Sequence, residues 1–152
     1  MEFILVSIMA GLFGTGGMTL LLWAFDKSGW ARADMVRALG SYATRSYQKS
    51  LQPGLLIHFA AGIPFAMFYI YVLSHLNLSS VLAFMIGGGV IGFVHGFAFS
   101  FVLVILAEHH PVDEFKEAGF EVALAHFTAH VFYGLLVGFV IGATGYLSAP
   151  PA

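Results

Sequence analysis

Four long apolar runs, separated by one extended polar stretch and two short ones, decide most of what this chain can fold into. They cover about residues 3–25, 55–75, 81–107 and 120–147. Each reaches the roughly 20 residues needed to cross the hydrocarbon core at about 1.5 Å rise per residue. Only 9% of the residues are charged and 59% are hydrophobic, whereas soluble domains carry roughly 25% charged residues. The runs therefore predict an all-α, polytopic membrane four-helix bundle, a single domain over residues 1–152 that has the lipid bilayer as its solvent. The absence of cysteine excludes disulfides, thiolate metal sites and thiol catalysis.

The first run is expected to be a retained helix. Glu2 stands where a signal peptide would carry basic residues, and no small-residue cleavage site closes the run. Its glycines, Gly11, Gly14, Gly16 and Gly17, superficially resemble a phosphate loop, but no strand precedes them, so helix packing is the expected use. Between the first two spans, Asp26 to Gly54 holds Lys27, Arg32, Arg37, Arg45 and Lys49. Met35, Val36, Leu39, Tyr42, Ala43 and Tyr47 share one helical face there, opposite Asp34, Arg37, Ser41, Arg45 and Lys49. An interfacial amphipathic helix over about 30–50 follows, with a solvated helix packed on the bundle as the alternative. So few basic residues give no support for nucleic-acid binding.

Both loops that contain lysine or arginine lie on one side of the four spans. The positive-inside rule places those loops in the cytoplasm and both termini on the other side, in the inner membrane for a bacterial cell. Pro64 is expected to kink the second span, because it lacks an N–H and crowds the carbonyl of Ala60. The third run is to end at Glu108, His109, His110 and Pro111, with a short amphipathic piece leading through Lys116 to the last span and the tail SAPPA.

Histidine is the residue that composition alone does not explain. His126 and His130 stand at i and i+4, with Gly134, Gly138 and Gly142 continuing their stripe. His58 falls among Gly54, Gly62 and Ala66, and His95 lies beside a stripe of Gly88, Gly92, Gly96 and Ser100. Small residues at this spacing mark close helix contacts, so these imidazoles should face protein rather than lipid. Counted from the outer ends of the hairpins, His58, His95 and His130 each lie about 17 to 19 residues in, a shared depth of roughly 26 Å.

Two adjacent donor sets are thus expected. One is intramembrane (His58, His95 and His130, with His126 able to join either set), and the other interfacial (Glu108, His109, His110 and Glu121). Imidazole suits zinc, copper or iron, and several helices can supply one site. Haem is a less favoured occupant, since glycine stripes leave little room for a macrocycle. The pattern departs from a zinc protease: Phe127 occupies the position of the general-base glutamate. No nucleophile with a neighbouring base is visible either, so an enzyme is the least supported class.

Three functions remain open. The leading one is a His-lined intramembrane site that holds a transition metal for transport, delivery or redox use. The second is an accessory subunit whose glycine seams dock on copies of itself or on a larger membrane complex, with the histidines as hydrogen-bond partners. The third is a proton-linked carrier or pH sensor. The motifs GTGGMT, LIHFAAGIPFAMFY, VHG and HVFYGLLVG resemble small bacterial four-helix membrane proteins grouped as a domain of unknown function. That resemblance implies the same four-span topology and supplies no activity.

Overall fold

The computed structural model describes residues 1–147, and the tail SAPPA lies outside the described residues. The helices are α1 (Glu2–Lys27), α2 (Met35–Thr44), α3 (Leu51–Ser74), α4 (Val81–Glu108) and α5 (Phe120–Thr144), with one 3-10 turn at Asp113–Phe115. Of these, α1, α3, α4 and α5 are long and apolar enough to cross a membrane. The protein is a multi-pass integral membrane bundle of four spans, with α2 packed beside them.

Close contact follows the glycines. On α1, Gly11 lies against the backbone of Gly62 and Ile63 in α3, while Gly14 lies against Tyr133 and Val137 in α5. A long glycine seam joins α4 to α5 in antiparallel register: Gly88 meets the Gly134 carbonyl, Gly92 the His130 carbonyl and Gly96 the Phe127 carbonyl. A Cβ at Gly88 would collide with that carbonyl, so only glycine lets the two backbones come this near. Between α3 and α4, by contrast, bulky side chains such as Phe65, Tyr69 and Phe99 stand in the gap.

Local chemistry sets the ends. The helix expected over about 30–50 is shorter: the Asp34 side chain caps it by accepting from the Arg37 N–H at 3.1 Å, and Arg45 stops it in the left-handed region at φ 50°. Burial pushes the Asp34 carboxyl above its ordinary value, against the pull of Arg37. Gly40 and Gly54 let α2 dock on the first turns of α3. The second span starts four residues earlier than expected, at Leu51. Pro53 is compatible with a first helical turn, where its missing N–H has no intrahelical partner to lose. The helix also runs unbroken through Pro64 to Ser74. The piece after Pro111 is only the 3-10 turn, where a hydrogen bond from Lys116 holds the Asp113 carboxyl below its ordinary value.

Candidate functional site

Helical side chains lean toward the N-terminus of their own helix, and this decides which imidazoles meet. His130 sits opposite Gly92 across the seam, so His95 lies about one turn further along α4. Because α4 and α5 are antiparallel, the two rings lean toward each other, and their centroids come to 4.6 Å. On α3, which runs parallel to α5, the ring of His58 leans the other way from that of His95. Its aromatic neighbour is Phe59, while His95 stacks on Phe65 at 4.4 Å and meets the Tyr69 hydroxyl through Nδ1 at 3.1 Å. The depth argument counted backbone positions and left out this lean. It brings one pair into ring contact rather than three imidazoles.

The hydrogen bonds define what each ring can still do. His126 Nδ1 lies 2.7 Å from the Val122 carbonyl, and His130 Nδ1 lies 2.7 Å from the His126 carbonyl. A carbonyl only accepts, so both Nδ1 atoms carry the proton and both Nε2 atoms of the neutral rings are acceptors. The Nε2 atoms of His58, His95 and His126 are buried with no hydrogen-bond partner. Orphan polar atoms of this kind are costly in an apolar interior. His130 is in ring contact with His95 and with Phe99. Among the described residues, no group of three or more His, Asp or Glu side chains is arranged to hold a metal ion.

The interfacial set fares differently. Glu108, His109 and Glu121 are exposed, and only His110 is buried. Both nitrogens of His110 are occupied. Nε2 faces the Ala38 carbonyl at 3.1 Å and Ser41 Oγ at 3.4 Å, while Nδ1 accepts from the Val112 N–H at 3.2 Å. His110 therefore ties α2 to the loop between α4 and α5, and in this arrangement it has no free lone pair for an ion.

Two tyrosines escaped the sequence reading. Tyr69 is fully buried, and Tyr133 donates to the Gly62 carbonyl at 2.6 Å; their rings meet edge-on at 5.5 Å. The signal was available: Ala66, Tyr69, Ile70 and Leu73 form one buried face, and Tyr133 follows His130 on the same stripe. Fold and site thus define the class of protein, a four-span integral membrane bundle with unpartnered imidazoles in its interior. Compared with known proteins, the chain matches no protein-family model, no curated protein and no solved structure.

Proposed function

We propose that this bundle binds a transition metal ion through His95 and His130, with His58 as the third imidazole, for transport, delivery or redox use. The observation that supports this most directly is the set of buried Nε2 atoms without partners on His58 and His95. The Nδ1–H of His130, bonded to a carbonyl, also matches the way a metal-ligating imidazole is oriented by a neighbouring acceptor. Tyr69 can do the same for His95, because a phenol can accept as well as donate. Zinc, copper and iron all suit such nitrogens; haem fits less well, since His95 and His130 already touch. Binding would require the rings to turn toward a common point, with His58 moving most.

In this reading α2 lies at the membrane interface, its loops are cytoplasmic by the positive-inside rule, and the resemblance to small bacterial four-helix proteins concerns topology only. The accessory-subunit reading loses part of its motivation, because the glycines of the α4–α5 seam are already used within the chain.

The test is to purify the protein in mild detergent from metal-replete cells and measure bound metal and the visible spectrum. The same is done for His58→Ala, His95→Ala and His130→Ala. Stoichiometric metal that falls in each variant supports the proposal. Metal-free wild-type protein, with all four proteins equally helical, would overturn it.

A further inference from the structure

Between α2, the C-terminal half of α4 and the start of α5 lies a cavity of about 170 Å³, apart from the His95–His130 contact. Its inner wall is apolar, formed by residues such as Leu39, Phe99, Leu103 and Ala107. The Tyr42 hydroxyl bonds to the Leu106 carbonyl at 2.8 Å, pinning α2 over it as a cover. Its volume is close to the ~150 Å³ at which an engineered apolar cavity accepts benzene. One six-membered ring therefore fits.

Two buried imidazoles line the cavity: His110, whose nitrogens are both occupied, and His126. His126 lines it at 2% exposure, and its ring leans toward the N-terminal end of α5, where Ala118 and Val122 line the same space. With Nδ1–H bonded to Val122, the unpartnered Nε2 can only accept. A ligand that reaches this nitrogen must bring its own donor, an O–H or an N–H. Charge at the rim narrows the class further: Glu114 and Glu117 stand there with Arg32 and Asp34. A net acidic rim disfavours carboxylates and phosphates.

We propose that this cavity is a binding site for a neutral phenol or hydroquinone ring, free or carried on a lipid tail, whose hydroxyl donates to His126 Nε2. The site is independent of the metal reading and assigns His126 to the cavity rather than to the His58, His95 and His130 set. Phe99, Val102 and Leu106 are exposed beside it, so a tail would have an apolar way out.

The test titrates the full-length protein in detergent with hydroquinone under reducing conditions, with 1,4-dimethoxybenzene, which has the ring but no O–H donor, and with 2-decylhydroquinone, using equilibrium dialysis. Hydroquinone is expected to bind saturably, and the dimethoxy compound at least about tenfold more weakly, the worth of one buried hydrogen bond. His126→Leu should bring hydroquinone down to the level of the dimethoxy compound, and Ala107→Phe should abolish binding. Tighter binding of the decyl compound identifies a lipid-borne ring and equal affinity a free one; either upholds the site. No saturable binding, equal affinity for hydroquinone and its dimethyl ether, or full affinity in a folded His126→Leu protein would overturn it. The ligand comparison on unaltered protein decides even if a variant fails to fold.

Discussion

The two seams that flank α4 are built on opposite principles. Toward α5, glycines bring carbonyls against α-carbons, with the rings of His95 and His130 meeting beside them. Toward α3, the gap is filled by Phe65, Tyr69, His95 and Phe99. Backbones in contact exchange many small dispersion gains and leave no space for anything else. Rings that hold two helices apart leave polar nitrogens at their edges, and Nε2 of His95 lacks a partner in the bundle. The glycine contacts can carry stability but have no room for chemistry; the ring-filled side, where His95 also meets His130, has room and gives up some stability for it.

Substitution at the glycine seam should have the largest effect. Gly88→Leu places a side chain on the Gly134 carbonyl, and a loss of about 3 kcal/mol, the upper end for overpacking, is expected in reversible unfolding followed by circular dichroism. Gly16, also in a span, has nothing within 4 Å of where a Cβ would stand. Gly16→Leu should stay within about 0.5 kcal/mol of the parent. Equal effects at the two positions would break the distinction between a packing seam and an open face.

The aromatic side is sharpened by its two tyrosines. Tyr133→Phe removes the hydrogen bond to the Gly62 carbonyl and should cost about 1 kcal/mol, within the range of interhelical bonds in membranes. Tyr69→Phe should cost less, about 0.6 kcal/mol, yet it alone should move the ¹⁵N resonance of His95 Nδ1, its bonding partner. If both variants moved that resonance, the tyrosines would have to act as one network.

The smallest effect is expected outside the spans. Asp34→Ala removes the cap of α2 and should cost roughly 0.5 to 1 kcal/mol, whereas Asp34→Asn keeps an acceptor and should cost only a few tenths. The carboxyl of Asp34 is raised on folding, so the folded state binds its proton more tightly. That contribution is present below the ordinary carboxylate value of 3.8 and is lost as pH rises through the raised one. Asp34→Asn should remove this downward slope from a plot of stability against pH. An unchanged slope would mean that Asp34 is not its source.

Much of the fold was legible because a bilayer admits few solutions. Runs of apolar residues this long must be helices that satisfy their own backbone, and the expected spans differ from the helices by a few residues at the ends. Local signals explain the misses. Pro53 and Gly54 read as a loop, but belong to the first turn of α3 and a contact with α2, while the left-handed Arg45 ended a helix that periodicity would have continued. The site was legible only as residue types. His58, His95, His126 and His130 were expected inside the bundle, and all but His95 are less than 10% exposed. The interfacial set did not assemble, because Glu108, His109 and Glu121 face outward and His110 bonds to α2.

By itself, then, the sequence determined the medium, the number of spans and which residues avoid lipid, since these depend on composition and on the period of one helix. Tertiary structure alone decided which imidazoles touch, which nitrogen of each ring remains free and that His126 lines a cavity under α2. Those outcomes depend on register between helices and on the lean of each side chain, and two antiparallel helices lean their side chains in opposite directions.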